Sequence, residues 1–188
     1  MEFFNKSIYN ILCLTRNRTF LNIANKISNI DDYNIIVPYV YLGNINNANN
    51  IEFLKKNNIT AIINCTENEE FNEYFSDKPK FRLKVNDSKE FDNINNFKNQ
   101  IINAIIFIDK HREEKKNIYI HCYWGLMRSA TVVAGYLIYK YGLSVNDAIN
   151  IVKEKRPSSL SSIYNFNEVL YYLESKYIKV LSNKENRH

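Results

Sequence analysis

In the stretch HCYWGLMRSA, Cys122 is preceded by His121 and followed at fixed spacing by Gly125 and Arg128, residue types that can build a phosphate-binding thiol site. The IYIH segment before the cysteine alternates as a buried strand does, and SATVVAGYLIYKYG after Arg128 keeps apolar residues at helical spacing. Cys122 therefore falls where a strand passes into a helix. At such a turn, successive backbone N–H groups converge on one anion and the helix adds its positive N-terminal end, so phosphate is favoured. The same field favours thiolate over thiol: a free cysteine titrates at about 8.5, and a helix N-terminus with a neighbouring cation lowers that by several units. Arg128 carries the planar fork that grips two phosphate oxygens at once. At this chain's residue frequencies such a combination arises by chance about 4 times in 100,000, so coincidence is a poor account of it.

The elements that must hold this turn are legible as an alternation of strands and helices. Strands are expected at 34–37, 40–43, 60–65, 80–85 and 117–121, and helices at 47–57, 93–112, 128–141, 144–155 and 164–180. Ser144 with Asp147 reads as a helix start of capping-box type. The alternation implies an α/β fold, a single domain with a central mixed five-stranded sheet flanked by helices. Ahead of it, residues 1–32 are expected to form a helical extension: Phe4, Ile8, Ile11 and Leu12 fall on one amphipathic face and Phe20, Ile23, Ala24 and Ile27 on another. The domain is expected over 33–181, and the polar tail at 182–188 is expected to be loose.

Composition sets further bounds. A chain of 188 residues, 45% of them hydrophobic, suffices for one well-filled core and is short for two. No apolar run approaches a membrane span, and the opening MEFFNKS has an early acid and no cleavage site, so a soluble intracellular protein is expected. The three cysteines have no metal-ligand spacing, which argues against structural zinc and suits a reducing compartment. A formal charge of +5 suits acidic, phosphorylated surfaces and is too modest to argue for nucleic acid. The heavy use of Asn, Ile and Lys reads as a nucleotide-composition bias of the genome.

HCxxGxxRS resembles the signature of the cysteine-dependent protein tyrosine phosphatases, and HC-x-x-G-x-x-R-S-A-T followed by AGYLI resembles their dual-specificity branch. VPYVYLG (Val37 to Gly43), NITAIINCTEN and GLSVNDAINIVKEKRP are similar to other segments of that branch, and the likeness runs from about residue 33 to 175. KVNDSKEFD resembles its general-acid loop, which puts the acid at Asp87, with Glu90 and Asp92 as neighbouring rivals. The resemblance implies a protein tyrosine phosphatase-like fold, a phosphocysteine on Cys122 and no metal or organic cofactor. It implies that Arg128 and the amides of Tyr123, Trp124, Gly125, Leu126, Met127 and Arg128 hold the phosphate. Ser129 would bond the departing sulfur, and His121 would order the loop. The substrates implied are phosphoproteins carrying phosphotyrosine, phosphoserine or phosphothreonine. Loop lysines of the inositol-lipid branch are absent. An RNA 5′-triphosphatase and a silent phosphoprotein-binding scaffold are the competing functions.

Four further features stand out, the first two of them departures from the family pattern. Trp124 takes a position that is usually small, and its side chain either packs behind the loop or lines the rim. The Pro-Asn pair whose Asn braces the loop in relatives is missing after KEKRP, leaving Asn165 or a serine as substitutes. Cys65 is either a buried strand cysteine or a redox partner that shelters Cys122 through a disulfide, whereas Cys13 has no evident role. Finally, KSIYNILCL near the N-terminus resembles the opening of the vaccinia-type poxviral dual-specificity phosphatases. That likeness implies a homodimer through exchanged N-terminal helices, and a location in host cytoplasm and virion.

Overall fold

The computed structural model describes residues 32–161 and 166–185, with side chains through residue 177. The expected N-terminal helices with Cys13, and Asn165 as a loop brace, lie outside the described residues.

A five-stranded sheet with the order β1-β2-β5-β3-β4 forms the centre. β1 (Tyr33–Val37) and β2 (Val40–Gly43) make an antiparallel hairpin turned at Tyr39, whose φ of 72° is left-handed. β5 (Asn117–His121) runs parallel between β2 and β3 (Ile59–Asn64), and β4 (Lys80–Arg82) adds a parallel edge. Alternation along β5 sends Ile118 and Ile120 into the larger core and Tyr119 into a smaller aromatic one with Phe53 and Phe75. In β3 the alternation is interrupted, because the register with β5 shifts between Ile59 and Ala61. Ile59 and Ile62 consequently share the aromatic side, while Ala61 and Ile63 face the larger core.

The larger core is covered by α3 (Phe91–Glu113), α4 (Arg128–Tyr141), α5 (Val145–Lys155) and α6 (Asn167–Glu185). α4 is buried continuously from Arg128 to Ile138, as befits a helix wedged between the sheet and other helices. Gly135 permits that crowding: a Cβ there would lie 2.6 Å from Leu173 Cδ1. α4 ends on Gly142 in the left-handed conformation, and Ser144 caps α5 by accepting from the Asp147 amide at 3.2 Å, as its sequence predicts. Ile120 lies fully buried just before the loop, and Ile120→Ala would cost about 2–5 kcal/mol by opening a cavity beneath it.

Two expected elements differ. The single helix predicted at 47–57 is split into α1 (Ile45–Ala48) and α2 (Ile51–Lys56). Asn44 accepts from the Asn47 amide and Asn50 from the Phe53 amide, so two N-caps sit in one Asn-rich stretch. The strand predicted at 80–85 pairs only through Arg82. α6 also continues to Glu185, so the expected loose tail is helical over its first residues.

Candidate active site

β5 ends at His121, and the chain turns through Cys122 to Met127 before α4 begins at Arg128. Every carbonyl of that turn is engaged from behind. The Cys122 oxygen lies 3.3 Å from His121 Nδ1, and the Tyr123 oxygen accepts from the Ile45 amide at 3.1 Å. The Trp124 and Gly125 oxygens accept from Arg156 Nη2 at 3.4 Å and Nε at 2.8 Å. The Leu126 oxygen accepts from the Leu160 amide at 3.0 Å, and the Met127 oxygen from the Thr131 amide and hydroxyl at 2.8 and 2.9 Å. In a trans peptide the C=O and the following N–H point in opposite directions, so the amides of Tyr123 through Arg128 face the other way, into the turn. The Gly125 amide does so on the sulfur itself, donating to Cys122 Sγ at 3.2 Å. The result is a nest for an anion at the start of a helix.

Gly125 is required by this geometry. Its φ is +70°, and a Cβ would lie 2.3 Å from the Gly43 carbonyl oxygen. Trp124 packs: it is buried in the core and meets the Tyr123 ring edge-on at 5.1 Å. Its bulk is thus taken up in packing beside Tyr123, which itself lines the cleft.

Cys122 is buried, and burial alone would push its thiol up, but the Arg128 charge and hydrogen bonds from Ser129 outweigh that and hold it below its ordinary value. Ser129 Oγ lies 3.3 Å from the sulfur. Arg128 sits between the reactive groups, donating from Nη1 to the Val85 carbonyl at 3.3 Å and approaching Asp87 Oδ2 through Nη2 at 3.6 Å. Asp87, predicted from the loop after β4, is therefore brought beside Arg128. Glu90 instead precedes α3 as its cap and Asp92 lies in the first turn of that helix, both exposed. Thr66, Glu67, Asn68, Glu69, Asn86, Tyr123 and Arg128 line the cleft that opens there.

His121 is buried with its ring stacked at 6.0 Å from Tyr119, and burial pushes its pKa down to about 4. It is neutral at neutral pH, and the tautomer with its proton on Nδ1 is the one that can donate to the Cys122 carbonyl. Cys65 is a buried free cysteine at the end of β3, its amide bonded to the His121 carbonyl at 2.7 Å. Burial, then the neighbouring Cys122, pushes its thiol well up.

Sequence reasoning missed the brace. Arg156 is 2% exposed and reaches two loop carbonyls while donating from Nη1 to Asn34 Oδ1 at 2.7 Å. In the sequence, KEKRP reads only as the end of a family-like segment and gives Arg156 no role. Ser159, one of the serines considered for the role, bonds the Arg156 carbonyl at 2.7 Å and so supports the brace.

The family model for the dual specificity phosphatase catalytic domain matches residues 40–176. Human dual specificity protein phosphatase 7 is 37% identical over 134 residues, covering 70% of this chain and 30% of that protein. Human dual specificity protein phosphatase 6 is 35% identical over 134 residues, covering 70% and 33%. The match spans about a third of the length of these curated relatives. Among solved structures, DUSP15 superposes with a TM-score of 0.67 at 27% identity, covering 83% of this chain and 96% of that one. A leucine rich repeat and phosphatase domain containing protein from Entamoeba histolytica gives 0.65 at 25% identity, covering 79% and 94%.

Proposed function

Because the chain belongs to the dual-specificity phosphatase family, we propose that it is a protein phosphatase hydrolysing phosphotyrosine and phosphoserine or phosphothreonine. The single observation that carries this reading is the set of backward-held carbonyls from Cys122 to Met127, which turns the loop's amides toward the Cys122 sulfur and Arg128. In the first step the thiolate attacks phosphorus in line, a P–S bond forms and the P–O bond to the substrate breaks. Asp87 gives its proton to the departing oxygen. The loop amides and Arg128 hold the equatorial oxygens as charge redistributes. In the second step water attacks phosphorus and loses a proton to the Asp87 carboxylate, and the sulfur leaves as a thiolate. Ser129 donates to that thiolate, and the neutral His121 orders the loop without carrying a proton.

Dual specificity rests on the shortness of the connections between the strands, which leaves little room for an additional recognition loop. A dimer through the amphipathic residues 3–30, which the likeness of KSIYNILCL to the vaccinia-type phosphatases suggests, and an intracellular, reducing location complete the reading. Light scattering of the full chain against one lacking residues 1–32 tests the dimer.

Hydrolysis of 4-nitrophenyl phosphate and of phosphotyrosine and phosphothreonine peptides by wild type, Cys122→Ser and Asp87→Ala tests the reaction. Activity on both peptide classes, abolished by the first change and cut most on poor leaving groups by the second, is the expected result. A wild type inert on peptides sinks the reading, and release of phosphate from RNA 5′ ends or peptide binding without turnover would then identify the competing functions.

A further inference from the structure

The segment carrying Asp87 leaves the sheet before it reaches the pocket. Its last strand-like bond is from the Leu83 amide to the Asn64 carbonyl at 2.9 Å, and its remaining backbone groups need other partners. They find them in side-chain carboxamides on one face of α3. Gln100 Oε1 accepts from the Lys84 amide at 3.1 Å, and Asn96 Nδ2 and Gln100 Nε2 donate to the Lys84 carbonyl at 2.7 and 3.2 Å. Asn93 Oδ1 accepts from the Asn86 amide at 3.0 Å, and its Nδ2 donates to the Asn86 carbonyl at 2.9 Å and the Ser88 carbonyl at 2.7 Å. Gln100 Nε2 also bonds Asn96 Oδ1 at 2.6 Å, tying two of the amides to each other.

Positions 93, 96 and 100 share a helix face, whereas 84 and 86 alternate along the segment before it bends at Asp87, a bend that brings the Ser88 carbonyl onto the same Asn93 amide as the Asn86 carbonyl. A carboxamide presents both a donor and an acceptor, as a strand edge does, so α3 supplies the missing neighbouring strand. The other side of the segment is held as well: Leu83 and Val85 are buried in the core, and Val85 and Asp87 meet Arg128. Asp87 thus lies between two residues, Asn86 and Ser88, that one side chain grips.

We propose that Asn93, supported by Asn96 and Gln100, is a positioning residue that sets Asp87 over the pocket before substrate arrives. The inference rests on the general-acid reading of Asp87. A carboxyl already fixed at the leaving oxygen has little freedom to lose in the transition state, so the amide ladder acts on proton delivery and not on phosphate binding.

The experiment measures kcat/KM, which reports departure of the phenol, across aryl phosphates from 4-nitrophenyl to phenyl phosphate. Wild type, Asn93→Ala, Asp87→Ala and the double variant are compared, with urea midpoints to register folding. Asn93→Ala is expected to lose about tenfold on phenyl phosphate, whose oxygen needs the proton, and only about twofold on 4-nitrophenyl phosphate. The double variant should be no slower than Asp87→Ala, because the ladder acts through that carboxyl. An equal loss on all substrates, no loss, or a further drop in the double variant overturns the proposal. A flat Asp87→Ala profile would show instead that Asp87 is not the acid, and both readings would fall together.

Discussion

Arg156 Nε donates to the Gly125 carbonyl at 2.8 Å from behind the loop, while the Gly125 amide donates to the Cys122 sulfur at 3.2 Å in front of it. One residue of the loop is thus held on both sides. A buried guanidinium bonded to two successive carbonyls holds their orientation, and with it the amides that face an anion. Arg156→Met removes hydrogen bonds to a charged group, each contributing about 1.5–3 kcal/mol, and strands the carbonyls of Trp124 and Gly125. Affinity for vanadate or inorganic phosphate should fall about 10- to 100-fold on that arithmetic, with Arg156→Lys intermediate because an ammonium cannot span both oxygens. Competitive inhibition constants measure it. A variant that loses stability to urea and keeps its vanadate affinity would make Arg156 a prop of the fold only.

The sulfur offers a second test. Burial raises the Cys122 thiol, yet Arg128 and Ser129 together bring it below its ordinary value. Inactivation by iodoacetamide should therefore reach half its plateau rate at a lower pH than that of a free cysteine. Ser129→Ala should move that midpoint upward, and it should slow release of the sulfur so that a burst of phenol precedes a reduced steady rate. An unmoved midpoint and a burst-free time course would remove Ser129 from both roles.

How much of this was legible in the sequence depended on how local each relationship is. Cys122, Gly125 and Arg128 lie within one turn of chain, so their spacing alone placed them together, and the alternation of IYIH located the strand that presents them. Asp87 came from a loop motif, and the structure puts it beside Arg128. Arg156 was hidden because its contacts to Trp124, Gly125 and Asn34 join distant parts of the chain, and nothing in KEKRP distinguishes an inward arginine from a solvated one. Asn93, Asn96 and Gln100 were hidden by background. In a chain this rich in asparagine, the residues that bond the acid segment look like the residues that do nothing, and only the fold brings α3 alongside it. The same carboxamides account for the strand predicted through residue 85, since the backbone bonds of Lys84 go to the side chains of Asn96 and Gln100.

Gly125 is a position where sequence and geometry demand the same residue for separable reasons. Gly125→Ala would strain a backbone at φ +70° and drive a methyl within 2.3 Å of the Gly43 oxygen. β2 or the loop must then move. A loss of about 1–3 kcal/mol in urea stability is expected. Because the displaced amide is the one aimed at the sulfur, kcat should fall by more than about tenfold at pH 7, beyond what the stability loss explains. Near-normal turnover would mean that the loop tolerates a different path.

His121 should make the protein sensitive to acid in a defined window. Its ring is neutral and buried at neutral pH with a pKa of about 4, against about 6.5 in an unfolded chain. The folded value is depressed, so between those two the unfolded chain takes up a proton that the native state refuses, and stability falls with falling pH. The contribution is complete above pH 6.5, is lost progressively down to about pH 4, and amounts to about 3 kcal/mol over the window. His121→Gln keeps a side-chain donor near the Cys122 carbonyl and has nothing to titrate. Urea midpoints between pH 4 and 7.5 should therefore decline less steeply for the variant than for wild type, whatever their difference at pH 7.5. Parallel curves would show that the histidine takes up its proton in the folded state as readily as in the unfolded one, and that the acid sensitivity of the loop lies elsewhere.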